Sequence, residues 1–322
     1  MRKRIERSFK SIFAEHLINF IEMRQRIGYK DKEQGAILFR FDRFLSEANY
    51  QGPLSQELAW EFATSRKEIS RNECARHYHA IRQFSDYLAV FNPETPPLLT
   101  GVLKSSKTRP PVHIYTGEEL TRLLDAAKHA SRINPLRGIT LHAMVGLAAS
   151  TGLRISEVVT LDRGEVNLET GILTIRRTKF QKDRLVPVHP TTLKVLRDYA
   201  TLRDAHFPEL STPAFFIHMW GGRFSKHTLG LAFYNLACDA GLRKAVGRGP
   251  HFHDLRHTFA VKRLISWYRE GRDVQALLPL LATYMGHVHY SETAYYLTAT
   301  SELLGLAAER YDAFLMKEEV KA

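Results

Sequence analysis

The spacing of apolar residues in the first third of the chain predicts a small bundle of helices. Apolar residues recur three and four positions apart over residues 9–21 and 37–45, which places them on one face of a helix. Ser55 is the expected cap of a third helix, and a fourth is predicted over residues 74–91. Turn-forming residues end these segments: Gly28, Gly52-Pro53 and Asn92-Pro93.

A proline-rich segment separates this bundle from the rest of the chain. Residues 92–113 contain five prolines together with Lys104, Lys107 and Arg109, the composition of a stiff basic linker. We therefore expect a helical domain over residues 1–108, with its linker starting at about 92, and a second domain over residues 109–322.

The second domain is predicted to be mostly helical with a small sheet. It opens on Thr116-Gly-Glu-Glu, a capping box at a helix start, and helices are expected over residues 141–149 and 154–161. Strand-like runs at 172–175 and 184–188 flank a basic connection and predict a β-hairpin. Residues 214–217 are a further strand candidate. The predicted fold class is mainly α with a small β-sheet, α+β.

Charge and cysteine content narrow the classes of partner and compartment. The chain has 46 Lys and Arg against 34 Asp and Glu, a net charge of +12. Residues 1–108 contribute 18 basic against 13 acidic residues, and the remainder contributes 28 against 21. This excess favours a polyanionic partner.

Cys74 and Cys238 are too few for a disulfide framework or a thiolate zinc site. No apolar run approaches the roughly 18 residues of a membrane span, so we expect a cytoplasmic protein and no membrane partner.

Two segments place a cation at a predicted turn or helix start. In Thr151-Gly-Leu-Arg154-Ile-Ser-Glu157, the guanidinium of Arg154 can meet a phosphate at the mouth of a helix. The alternative is a surface arginine beside Glu157. In the hairpin connection, Lys179 can donate a proton to a leaving oxygen if desolvation lowers its pKa from about 10.4. The alternative is a solvated turn lysine.

A third segment, His253-Asp-Leu-Arg256-His257, begins an apolar helical stripe. Because His253 and Arg256 are three residues apart, they can converge on one anion. His253 and His257 also have the spacing of a zinc pair. Asp254 stands where a zinc-protease helix has Glu, however, and Arg256 would put a cation beside the metal. We therefore predict no metal here.

The fourth segment is Met285-Gly-His287, followed nine residues later by Tyr296. Taken by itself, the pair Tyr295-Tyr296 could equally be part of a helical core. The order of the four segments over residues 112–300 resembles the tyrosine recombinases, or phage integrase family, although Met285 stands where Leu is frequent. The N-terminal bundle is similar to their core-binding domain in length and pattern.

The resemblance implies site-specific DNA recombination with the following catalytic residues: Arg154, Lys179, His253, Arg256, His287 and the nucleophile Tyr296. The arginines would clamp the phosphate, His253 would receive the tyrosine proton, and Lys179 would protonate the departing 5′ oxygen. Since a 3′-phosphotyrosyl link conserves the bond energy, neither ATP nor a metal cofactor is implied. Tyr295 and His289 are neighbouring alternatives, but the family spacing selects Tyr296.

The resemblance also implies partners. These are a double-stranded DNA recombination site and further copies of the chain, two per site and four in a synapse. The protein would then be associated with the nucleoid. The C-terminal helix, residues 300–314, is expected to dock on a neighbouring copy; docking on its own domain is the alternative. Further expected DNA contacts are Arg76, His79, Arg82, Lys104, Lys107, Arg109, Lys182 and Arg184.

Two other functions compete with recombination. A type IB topoisomerase shares the chemistry, and a DNA-binding accessory protein could keep the scaffold without the activity. Retention of all six chemical positions favours an enzyme. Integration, excision, transposition and dimer resolution are all compatible with the pattern.

Overall fold

Two groups of elements, divided near residue 110, make up the chain. The computed structural model describes residues 8–29, 32–66, 68–92, 95–104, 112–131, 134–176, 183–244, 249–287, 289–298 and 300–319. Its two compact units are Met1–Pro110 and Pro111–Ala322. The boundary predicted at residue 108 lies beside this division.

The first unit is built from helices, as the apolar spacing predicts. They are α1 (Ala14–Arg26), α2 (Lys32–Glu47), α3 (Gln56–Thr64) and α4 (Arg71–Phe91). All four contribute to one core, which includes Leu17, Phe20, Leu38, Phe41, Phe62, Ile81 and Phe84. The Ser55 side chain caps α3 as expected, accepting from the Leu58 N–H at 3.2 Å. α4 begins earlier than predicted because Ser70 caps it, accepting from the Glu73 N–H.

The second unit is helical around a small sheet. Its helices are α5 (Gly117–Lys128), α6 (Pro135–Thr151), α7 (Ile155–Thr160), α8 (Pro190–His206), α9 (Lys226–Asp239), α10 (Phe252–Arg269), α11 (Val274–Met285), α12 (Tyr290–Ala294) and α13 (Ser301–Glu319). Short 3-10 turns occupy Arg163–Glu165 and Tyr295–Thr298. The predicted capping box opens α5, with Thr116 and Glu119 each accepting from the other's backbone N–H. The helices and the small sheet together confirm the predicted α+β class.

The sheet contains the predicted hairpin. Its antiparallel strands are β1 (Val166–Asn167), β2 (Ile172–Ile175) and β3 (Arg184–Pro187), in that order. The register pairs Ile172 with Pro187 and Ile175 with Arg184, so the start of β3 lies opposite the end of β2. β1 is too short to give an alternating pattern and was not predicted. The connection that holds Lys179 and Lys182 lies outside the described residues.

The predicted strand over residues 214–217 is wrong. The structure forms isolated bridges there, between Ala214 and Asp162 and between Ile217 and Arg223. Residues 214–217 are all buried, and the Phe215 carbonyl accepts from the Tyr199 hydroxyl. The segment is apolar because it fills the core, and a short apolar run does not by itself distinguish that role from a strand.

The C-terminal helix α13 lies on its own unit. Leu303 is fully buried in a cluster with α10 and α11, and Glu302 pairs with Arg269 at 2.7 Å. The single chain thus shows the alternative arrangement, with the helix on its own unit; docking on a neighbouring copy stays a prediction. No helix in the described ranges is long and apolar enough to cross a membrane.

A glycine turn joins the buried helix α6 to α7. Gly152 ends α6 with φ +66°, in the left-handed region, and a Cβ there would lie 2.7 Å from the Phe259 ring. Both constraints favour glycine. The turn delivers Arg154 to the start of α7.

We predict that Gly152→Ala destabilises the protein. An alanine in this conformation costs about 1–2 kcal/mol, before any cost of moving Phe259. Gly230→Ala is the matched control, since Gly230 lies inside α9 with open space around its Cβ position. The control should gain about 0.5–1 kcal/mol. Thermal melting of both variants tests this, and a Gly152→Ala protein as stable as the control would contradict it.

Candidate active site

The structure brings five of the six predicted catalytic residues together in the second unit. Arg154 precedes α7, His253 and Arg256 lie in the first turns of α10, His287 follows α11, and Tyr296 lies in the 3-10 turn after α12. The sixth, Lys179, lies outside the described residues. Segments far apart in sequence therefore meet at one place.

The C-terminal end of α11 holds three arginines. Its last carbonyl groups have no partner within the helix and carry the negative end of the helix dipole. The hydrogen bonds run from Arg184 Nε to Tyr284 O (2.8 Å), from Arg256 Nη2 to Met285 O (2.7 Å) and from Arg154 Nη2 to Gly286 O (3.0 Å). Arg256 Nη1 also donates to the Gly152 carbonyl at 2.6 Å. Backbone oxygens thus fix the guanidinium groups in place.

A second glycine makes this arrangement possible. Gly286 ends α11 with φ +68°, again in the left-handed region. A Cβ at this position would lie 2.7 Å from Nη1 of Arg184. A larger residue would therefore strain the backbone and displace the arginine.

A buried carboxylate, Glu157, connects two of the arginines. Its Oε1 accepts from Nη1 of Arg184 and Nη1 of Arg154, each at 3.1 Å. Its Oε2 accepts from Nη2 of Arg184 and from the Arg154 backbone N–H, each at 2.9 Å. Burial by itself raises the pKa of Glu157, but the hydrogen bonds and charges of Arg184 and Arg154 outweigh it and lower the pKa. The carboxylate is therefore ionised and orients Arg154.

Arg256 is the most enclosed cation of the site, with 2% of its surface exposed. Burial and the nearby charge of Arg154 lower its pKa to about 10, so the group stays protonated at neutral pH. Burial and the charge of Arg256 also lower the pKa of His253, which favours a neutral imidazole.

The Tyr296 hydroxyl lies inside this cationic group. The residue is 3% exposed, and its hydroxyl is 3.1 Å from Nδ1 of His257. Burial raises the pKa of Tyr296, while the charge and a hydrogen bond of Arg256 act in the opposite direction. Tyr295, half-buried, packs its ring edge-on against Tyr296 with centroids 5.9 Å apart. The structure thus joins Tyr296 to the arginine and histidine set.

His287 stacks on the nucleophile candidate. Its ring lies 6.1 Å from that of Tyr296 at an angle of 23°, and Nδ1 is 2.7 Å from the hydroxyl of the fully buried Thr293. Burial and the charge of Arg256 lower the pKa of His287 to about 3. The ring is therefore neutral at physiological pH and is held in one orientation.

Three residues of the site go beyond the sequence prediction. The sequence pattern presents Glu157 only as a possible partner of a surface arginine, and it predicts that Arg184 contacts DNA. The Arg184 side chain is 9% exposed and points to Glu157 and the end of α11, so it holds the site together. The sequence pattern presents His257 only as a possible metal ligand, although it follows Arg256 directly on the same helix.

The other expected DNA contacts lie mainly on α4 and in the linker. Arg76 and His79 are exposed on α4, and Lys104 is exposed beyond it. Arg82 pairs with Asp86 at 3.3 Å. Lys107, Arg109 and Lys182 lie outside the described residues.

The described ranges contain no group of three or more His, Cys, Asp or Glu side chains placed to hold a metal ion. The rings of His253 and His257, the pair with zinc spacing, meet at a right angle with centroids 4.8 Å apart. His257 is engaged with the Tyr296 hydroxyl instead.

Comparison with known proteins defines the family. The model of the phage integrase family matches residues 114–302. The integrase/recombinase y4rE of Sinorhizobium fredii is 42% identical over 308 residues, covering 96% of this chain and 98% of y4rE. Tyrosine recombinase XerD of Brucella suis is 32% identical, covering 71% of this chain and 72% of XerD. The chain therefore belongs to the phage integrase family, the tyrosine recombinases, and the expected class of enzyme, a site-specific DNA recombinase, is confirmed.

Solved structures share the fold. The Tn1549 transposon integrase, in complex with transposon right end DNA, superposes with a TM-score of 0.65 at 16% identity, covering 92% of this chain and 98% of the integrase. The XerH recombinase, in a post-cleavage complex with its difH substrate, gives a TM-score of 0.63 at 19% identity, covering 87% and 79% of the two chains.

The buried carboxylate yields a prediction on pH and stability. Because its folded-state pKa is lowered, Glu157 stabilises the fold above the unfolded-state value of about 4.3 and loses this contribution as the pH falls through the lower folded value. Glu157→Gln should lower the melting temperature at pH 7, since Arg184 loses its charged partner. The variant should then lose less further stability on acidification below about pH 4.3.

Melting curves at neutral and acidic pH check this, with the exposed Glu209→Gln as control. Parallel pH profiles for Glu157→Gln and the unaltered chain would contradict the assigned contribution.

Proposed function

We propose that Tyr296 cleaves one strand of a DNA recombination site by attacking its phosphodiester. The new bond joins the phenolic oxygen to phosphorus, and the bond from phosphorus to the 5′ oxygen breaks. A 5′ hydroxyl of a second strand then reverses the step and rejoins the DNA. The observation that carries this proposal is the buried Tyr296 hydroxyl within a set of arginines and histidines.

Arg154 and Arg256 stabilise the transition state in this mechanism. Negative charge grows on the non-bridging oxygens as phosphorus becomes pentacoordinate. Donors that are oriented beforehand stabilise such charge without further reorganisation. Backbone carbonyls and Glu157 orient both guanidinium groups. His287, as a neutral imidazole, can supply one further hydrogen bond to the phosphate.

The departing 5′ oxygen must receive a proton. The family resemblance gives this role to Lys179, in the connection between β2 and β3, and we retain it as part of the proposal. The activity then needs neither ATP nor a metal, because the phosphotyrosyl bond conserves the energy of the phosphodiester.

We further propose that copies of the chain assemble on double-stranded DNA, two on a site and four in a synapse. Lambda integrase forms a dimer on a core site and a tetramer on a Holliday junction. The net charge of +12 favours contact with phosphates of any sequence. Arg76, His79 and Lys104 are the exposed residues of the first unit that we assign to such contacts. Association with the nucleoid is part of this proposal, because the proposed substrate is DNA.

The choice of nucleophile gives a direct prediction. Tyr296→Phe should abolish covalent capture of DNA because the attacking oxygen is gone, whereas Tyr295→Phe should retain it. The probe is a set of nicked duplexes from the DNA that flanks the gene, and a denaturing gel detects the protein–DNA adduct. Adducts formed by Tyr296→Phe would contradict the assignment. Their absence for the unaltered chain on every duplex would favour a DNA-binding accessory protein.

The arginine geometry gives a second prediction. Arg154→Lys keeps the charge but loses the planar fork that reaches Glu157 and Gly286 together. The rate of adduct formation should fall by about 100- to 1000-fold, with DNA binding largely retained. Arg163→Lys is the control, because Arg163 is an exposed partner of Asp204. Single-turnover kinetics measure both, and an unchanged rate for Arg154→Lys would exclude a transition-state role for its fork.

A further inference from the structure

The histidine that touches the nucleophile is not the one that the family motif suggests. His257 Nδ1 lies 3.1 Å from the Tyr296 hydroxyl. His253 lies one helical turn earlier on α10 and packs its ring at a right angle against that of His257. The contact to the phenol is therefore made from the position directly after Arg256.

We propose that His257 is the proton acceptor for Tyr296, an inference that rests on the proposed function. As the phenolic oxygen bonds to phosphorus, its O–H bond breaks and the proton passes to Nδ1 of His257. The bond from phosphorus to the 5′ oxygen breaks in the same step, and that oxygen takes a proton from the acid of the site. In rejoining, the attacking 5′ hydroxyl gives its proton back to the conjugate base of that acid, and the His257 imidazolium returns its proton to the phenolic oxygen. Nothing is oxidised or reduced.

Burial of the phenol makes a protein base necessary. Tyr296 is 3% exposed, so bulk water has little access to its hydroxyl. Burial also raises the pKa of Tyr296, and a phenol is mostly protonated at neutral pH even at its reference pKa of about 10. A base within hydrogen-bond distance meets the geometric requirement for general base catalysis.

His287 is a poor alternative acceptor. Its ring is stacked on Tyr296, and its Nδ1 is engaged with the Thr293 hydroxyl. With its pKa lowered to about 3 by burial and the charge of Arg256, it is a weak base. It is better suited to donate a hydrogen bond than to accept a proton.

The test compares His257→Gln with the unaltered chain on two substrates. Glutamine can still hydrogen-bond to Tyr296 but cannot act as a base near neutral pH. One substrate is a nicked duplex of the flanking DNA that the unaltered chain captures covalently. The other is the same duplex with sulfur in place of the 5′ bridging oxygen. Its leaving group is a thiolate, whose conjugate acid has a pKa of only about 8.5, so it departs without protonation.

We expect His257→Gln to slow adduct formation by at least about 100-fold on both substrates. The sulfur leaving group should not rescue it, because the missing step is at the nucleophile. His227→Gln, an exposed histidine of α9, should match the unaltered chain. Melting and DNA binding check that the variant folds, and His257→Asn replaces it if the glutamine variant does not.

Three results would overturn the inference while leaving the proposed function intact. An unchanged rate for His257→Gln would reduce the contact to positioning. If the sulfur substrate restored the rate of His257→Gln, the role of His257 would be protonation of the leaving group instead. If His253→Gln lost activity and His257→Gln did not, His253 would be the proton acceptor. Failure of the unaltered chain to form any adduct would overturn the proposed function and this inference together.

Discussion

The site depends on the confinement of three positive charges in a small, largely buried volume. Guanidinium groups this close repel one another, and they stay together because the end of α11 and the carboxylate of Glu157 supply negative partners. Removing one partner of a buried ion pair costs about 3–5 kcal/mol, so these acceptors matter more than any surface pair of the molecule. Three features bring these groups close together: the glycine turns at residues 152 and 286 and the start of β3.

This arrangement assigns fixed positive charge and proton transfer to different residues. The arginines supply fixed positive charge, and burial together with the charge of Arg256 lowers the pKa of His253 and of His287, which favours their neutral forms. The neutral imidazoles of His253 and His287 are therefore available as hydrogen-bonding groups near neutral pH. In a site where histidines had to provide the positive charge, the two tasks would compete for the same proton.

Local signals in the sequence predicted the helices of the first unit, the hairpin strands and the segments that meet at the site. Caps such as Ser55 and Thr116 act within a few residues, so their effects can be recognised along the chain. The burial of the Arg184 side chain in the site could not be predicted in this way, because it depends on β3 lying against the end of α11. The core role of residues 214–217 and the return of α13 to its own unit likewise depend on contacts distant in sequence.

The acceptors at the end of α11 have a consequence for how this site can vary. Carbonyl oxygens belong to the backbone, so a change of side chain at position 284 or 285 leaves the arginine partners in place. A side chain of another shape at Met285 would thus leave the carbonyl that Arg256 binds in place. Substitutions of the α11 side chains therefore leave these backbone acceptors unchanged. Substitutions at two positions do not: Gly286, which turns the chain, and Glu157, whose carboxylate no backbone atom can replace.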